Sequence, residues 1–270
     1  MGRKAKGNLL IIGGAEDKKH NCTILTKFVE LAGKGNIVVL TSATDQPEKA
    51  GETYYNLFKD LGARDVEVLD ISDRKTANAK ATLDSLRKAT GIFFTGGDQL
   101  KITGTLGGTE VDSILHILYE QGVIIGGTSA GASVMSSTMI VGGENDETPQ
   151  KAAISMAPGM ALVEEVVIDQ HFAQRGRIGR LLAVIAQNPH YLGIGIDEDT
   201  AILVNDSDCF EVVGSQTVTV VDGQRISFTN ASETGARHAL ALGNVILHVL
   251  PAGYRFDLRT RQPITGNSIK

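Results

Sequence analysis

The chain has 270 residues, 42% hydrophobic and 21% charged, with a formal net charge of -5 and a pI near 5.7. That balance belongs to a globular chain able to bury a large core, and it excludes disordered and fibrous classes. An acidic chain offers no global basic field to nucleic acid or anionic lipid, so neither is expected as a partner.

Cys22 and Cys209 lie far apart in sequence, which gives neither a disulfide framework nor a metal-ligand cluster and suits a reducing compartment. The first apolar run, residues 9–12, is too short for a signal-peptide core or a membrane span. A cytoplasmic protein without a membrane partner is expected.

Short apolar runs recur at residues 9–12, 37–40, 66–69, 91–94 and 123–125, each ending at glycines or small polar residues. Helical patterns lie between them over 22–32, 50–61, 79–88 and 109–121. Continuous apolar strands alternating with amphipathic helices predict a parallel sheet covered on both faces. A further helical pattern is read over 132–140. After about residue 200 the runs 201–204, 209–213, 217–221 and 245–250 are separated by turn-forming residues, which predicts antiparallel strands added to the sheet or beside it. The expectation is a single α/β domain over 1–270, three-layered and doubly wound, with a mainly parallel sheet and extra antiparallel strands near the C-terminus.

Ligands of such sheets bind beyond the carboxyl ends of the strands. The segments found there are Gly13-Gly14-Ala15-Glu16, Thr41-Ser42-Ala43, Thr95-Gly96-Gly97-Asp98-Gln99 and Gly126-Gly127-Thr128-Ser129. They predict one shared crevice.

Gly127-Thr128-Ser129-Ala130-Gly131 satisfies G-x-S-x-G between a strand and a helical pattern, the setting in which a serine stands on a sharp turn as a nucleophile. The amide of Ala130, joined by one at Gly97 or Asp98 from the preceding loop, would meet a developing oxyanion. A serine nucleophile needs a base. Of six histidines, His171 follows the short strand 166–168 and so reaches the same crevice. Arg175, Arg177 and Arg180 come with it, and arginines beside a base suit bidentate binding of carboxylates. Asp197, Glu198 and Asp199 follow the next strand, where one of them would orient the imidazole; spacing alone does not choose among them. A metal is not expected from these acids, because no His or Cys pair accompanies them.

With these motifs assembled, including Ile12-Gly13-Gly14-Ala15-Glu16, Asp169-Gln170-His171-Phe172 and Gly195-Ile196-Asp197-Glu198-Asp199-Thr200-Ala201, the chain resembles the cyanophycinases. These belong to the serine peptidase family that also contains bacterial aspartyl dipeptidase. The resemblance covers essentially the whole chain. It implies exo-hydrolysis of cyanophycin, a poly-aspartate carrying arginine on each side chain, to β-Asp-Arg dipeptides. Carried over by motif, it makes Ser129 the nucleophile, His171 the base and Glu198 its orienting acid, with Gly97 and Ala130 as oxyanion donors. Gln99, Lys101, Asp169, Gln170, Arg175, Arg177 and Arg180 would line the substrate site, with Asp169 accepting the substrate's guanidinium. It also implies a homodimer with no metal or organic cofactor. The alternatives are a related aspartyl dipeptidase and a non-catalytic amidotransferase-like binding protein.

Overall fold

The computed structural model describes residues 6–143, 148–150, 154–235 and 238–264. Strands β1 (Leu9–Ile12), β2 (Asn36–Leu40), β3 (Asp65–Leu69), β4 (Gly91–Phe94) and β5 (Ile124–Thr128) alternate with helices α1 (Thr23–Leu31), α2 (Pro47–Asp60), α3 (Arg74–Ala77), α4 (Lys80–Leu86), α5 (Gln99–Leu106) and α6 (Glu110–Glu120). A one-turn helix α7 (Ala130–Ser133) follows, then strands β6 (Thr138–Gly142) and β7 (Ser155–Pro158), which pair with each other. The unit β8 (Val166–Gln170), α8 (Ile178–Gln187) and β9 (Leu192–Ile196) is again parallel. The remainder is strand-rich: β10 (Thr200–Val204), β11 (Cys209–Gly214), β12 (Thr217–Asp222), β13 (Phe228–Thr229), β14 (Leu242–Gly243), β15 (Ile246–Pro251), β16 (Arg255–Asp257) and β17 (Gln262–Pro263).

The main sheet has nine strands in the order β17-β16-β11-β10-β1-β5-β4-β2-β3. Its parallel portion runs from β1 to β3, and antiparallel β10 extends it on the β1 side. Alternation along the strands assigns the two faces. Leu10, Ile12, Ile37, Val39, Phe93 and Ile124 pack with Phe28 of α1 and Tyr54 and Phe58 of α2. Leu9, Ile11, Val38, Leu40, Ile92, Phe94 and Ile125 pack with α4, α5 and α6. These are the three layers that the apolar runs predict, with buried side chains on both faces of each central strand.

A second sheet, β15-β12-β9-β8, takes four strands of the C-terminal half. Ile168, Ile194, Ile196, Val218 and Val220 turn into the same apolar cluster as Leu9, Ile125 and Ile202 of the main sheet. Burial at about 25 cal/mol per Å² of apolar surface therefore ties the two sheets together through one continuous core.

One local expectation changes, and one helix is added. The pattern at 132–140 is not a helix: α7 stops at Ser133 and the chain re-enters a strand at Thr138. The amides of Met160, Leu162 and Val163 take the carbonyls of Val134 and Met135, and the β-branched Thr138, Ile140 and Val141 suit a pleated surface better than a second helical turn. Conversely, α5 forms where Thr103, Gly104 and Thr105 dilute the apolar stripe; Asp98 caps it by accepting the Leu100 amide at 2.8 Å.

Candidate active site

Strand β5 delivers Ser129 to the carboxyl edge of the main sheet in an uncommon conformation, with φ 54° and ψ -112°. Such backbone is held only where neighbours enforce it. Here the Ser129 amide donates to the Ile12 carbonyl at 3.0 Å. The flanking glycines permit close approach of α7, since a Cβ at Gly127 would lie 2.4 Å from the Gly131 carbonyl oxygen and one at Gly131 would lie 2.5 Å from that of Phe94. Ala130 is the first residue of α7, so its amide has no acceptor within that helix. Gly97 borders the same cleft as Ser129.

The second sheet supplies the rest. In its parallel pair Gln170 stands opposite Ile196, so the residues that follow each strand emerge side by side. His171 Nε2 lies 3.1 Å from Ser129 Oγ, and His171 Nδ1 lies 2.6 Å from Glu198 Oε1. With Nδ1–H donating to the carboxylate, Nε2 is left to accept from the serine. The two neighbouring acids are engaged elsewhere: Asp197 accepts from the Ala173 amide and the Thr217 hydroxyl, and Asp199 from the Asp17 amide and the Ser215 hydroxyl. Of the three acids left open by spacing, Glu198 is the one on the imidazole. Burial depresses the His171 pKa below its ordinary value; the Glu198 hydrogen bond opposes this, and the charges of Arg175 and Arg177 add to it.

Beside the serine is a cleft of about 280 Å³ lined by Gln99, Gln170, Arg175, Arg177 and Arg180 together with β6 and Gly143. Gln170 Oε1 lies 3.5 Å from Ser129 Oγ, and Gln99 Nε2 donates to the Ile140 carbonyl at 2.7 Å. The three arginines divide. Arg180 Nε donates to Asp169 Oδ2 at 2.7 Å, and Arg177 reaches Asp169 Oδ1 at 3.4 Å. All three of these side chains are buried. Burial pushes the Arg177 pKa down to about 10 against the support of Asp169. Arg175 is exposed at the cleft.

Two expectations are corrected by this arrangement. Asp169 is 1% exposed and faces the protein's own guanidinium groups, so it is not presented to an incoming one. Lys101 pairs with Asp45 and is not among the residues lining the cleft. A larger cavity of about 400 Å³ opens around Tyr119, Leu192 and Arg259, but it contains no activated nucleophile; chemistry rather than size selects the smaller cleft. Among the described residues no group of three or more His, Cys, Asp or Glu could hold a metal ion, and no helix is long and apolar enough to cross a membrane.

Sequence reasoning missed the strand β6 wall of the cleft, because the helical pattern at 132–140 concealed it. It also marked the 13–16 loop without giving it a task.

Comparison with known proteins identifies the family. The chain is 42% identical over 269 residues to a cyanophycinase from Geminocystis herdmanii, covering 98% of this chain and 99% of that one. It is 42% identical over 259 residues to a cyanophycinase from Trichormus variabilis, covering 95% and 87%. The fold matches the crystal structure of a peptidase from an acI-B1 Actinobacterium with a TM-score of 0.65 at 22% identity, over 90% of this chain and 98% of that one. The model of peptidase family S51 matches residues 9–212, a span that contains the serine, the histidine and the glutamate, and the chain therefore belongs to peptidase family S51 as a serine-type hydrolase.

Proposed function

We propose that the protein is a cyanophycinase that cleaves the poly-aspartate backbone of cyanophycin and releases β-Asp-Arg dipeptides through an acyl-enzyme on Ser129. The observation that carries this reading is the unbroken hydrogen-bonded series Ser129–His171–Glu198 beside an arginine-lined cleft. The relatives named cyanophycinase at 42% identity supply the substrate.

In this mechanism neutral His171 takes the Ser129 proton as Oγ adds to the scissile carbonyl carbon. The amides of Ala130 and Gly97 hold the oxyanion, and Glu198 stabilises the imidazolium. The imidazolium then gives its proton to the leaving amine, the C–N bond breaks, and the acyl group remains on Ser129. Water attacks that ester with His171 as base and frees the serine. Arg175 holds a substrate carboxylate, Gln99 and Gln170 border the bound unit, and Arg177 and Arg180 give the cleft its positive field while anchored by Asp169.

The test is incubation with purified polymer and identification of the products: β-Asp-Arg dipeptides are expected, and preferential hydrolysis of short α-aspartyl peptides would favour the aspartyl dipeptidase reading instead. No turnover together with no labelling of Ser129 by an activated serine reagent would leave the binding-protein reading. A homodimer in a cytoplasmic setting accompanies the proposal, and sedimentation analysis and cell fractionation address those two points.

A further inference from the structure

The loop that follows β1, from Gly13 to Asp17, is not among the residues lining the cleft, yet it touches all three segments of the hydrogen-bonded series. At its start, Ile12 accepts the Ser129 amide at 3.0 Å. Gly13 accepts the His171 amide at 2.7 Å, and Gly14 accepts the amide of Asp199, next to Glu198, at 2.9 Å. The Asp17 amide returns to Asp199 Oδ1 at 2.8 Å.

Side chains sharpen these contacts. Glu16 has a side chain only 1% exposed. One of its carboxylate oxygens accepts the hydroxyl of Thr128, the residue before the nucleophile, at 2.6 Å. The other accepts the Tyr54 hydroxyl and pairs with Lys18 Nζ at 2.8 Å. Burial and the adjacent Glu16 charge raise the Tyr54 pKa well above its ordinary value, which keeps the phenol a donor. Gly14, at φ 103°, lies against the imidazole: a Cβ there would stand 2.4 Å from His171 Nε2 and Cε1. A buried carboxylate is expensive to keep, and an apolar side chain could fill the same volume. What the carboxylate adds is direction, since each lone pair fixes a particular donor.

We propose that Glu16 and Gly14 are positioning residues for catalysis: Glu16 fixes the turn that carries Ser129 through the Thr128 hydroxyl, and Gly14 fixes the plane of His171. Together they set the separation between nucleophile and base. The proposal rests on the catalytic reading of Ser129, which the experiment checks separately.

Thr128→Val, Thr128→Ser, Glu16→Gln and Gly14→Ala are compared with the wild type for kcat and KM on the polymer, for thermal midpoint, and for the rate of Ser129 labelling by a fluorophosphonate, which needs an activated serine but no arginine-lined subsite. Thr128→Val and Glu16→Gln are expected to lower kcat and the labelling rate together, on the order of tenfold or more, with KM unchanged. Thr128→Ser is expected to recover both rates. Gly14→Ala should lower them as well and move the acid limb of the pH profile by displacing the imidazole from Glu198. Folded Thr128→Val and Gly14→Ala proteins with wild-type kcat and labelling rate would overturn the proposal, whatever their thermal midpoints. A wild type that is never labelled overturns the nucleophile assignment, and this proposal with it.

Discussion

At Ser129 the consequence of the proposed covalent chemistry is direct. Ser129→Ala leaves the histidine, the oxyanion amides and the cleft in place, and turnover is expected to fall by about four orders of magnitude or more with the fold intact; a steady-state assay on folded protein checks this. In the proposed mechanism His171 sets the pH response. Its depressed pKa keeps the imidazole neutral at neutral pH, so kcat/KM should fall only when pH drops through a value below the ordinary 6.5. The same sign applies to stability, because the unfolded chain takes up this proton first as pH falls and gains on the native state between the two pKa values. Arg175→Ala removes a cation that lowers this pKa, so the acid limb should move up toward 6.5. Loss of a charged hydrogen bond worth about 1.5–3 kcal/mol should also raise KM by roughly tenfold or more. An unmoved acid limb in a pH–rate profile would separate Arg175 from the base. His171 was legible in the sequence because it follows an apolar run at the crevice end of the sheet. Glu198 was not separable from Asp197 and Asp199 by spacing, because what distinguishes them is which donors the second sheet brings to each.

Among elements, the junction of β8 and α8 depends on one buried carboxylate. Asp169 on the strand holds Arg180 on the helix and Arg177 at the helix start, so Asp169→Asn takes a shared carboxylate away from two buried guanidinium groups. Breaking a buried pair in this way costs about 3–5 kcal/mol, and the urea midpoint should fall accordingly while Ser129 labelling persists in the protein that stays folded. An unchanged midpoint would show that the arginines find other partners. This division of labour could not be read from the chain: three arginines within six positions look alike until the fold decides which of them faces a carboxylate. The 132–140 segment teaches the same lesson, since its helical spacing is genuine but the carbonyls of Val134 and Met135 are claimed by amides from 160–163. By contrast, β1, β2, β4 and β5 are buried on both faces, and only the edge strand β3 exposes one, with Asp65 and Glu67, a pattern that requires no knowledge of partners.

Across the whole molecule, the parallel sheet and its two helical layers follow from the alternation of runs and patterns, whereas the strand order β3-β2-β4-β5-β1 appears only in the structure. The sequence does not announce that the antiparallel half divides, with β10, β11, β16 and β17 extending the first sheet while β12 and β15 join the second. The presence of two sheets puts Ser129 at the edge of one, after β5, and both His171 and Glu198 at the edge of the other, after β8 and β9. Ser129 and His171 thus face each other across a seam, joined at 3.1 Å, and a slight parting of the halves would disarm the serine while leaving each ladder of strands complete. Mild denaturant should therefore extinguish fluorophosphonate labelling before circular dichroism registers any loss of secondary structure.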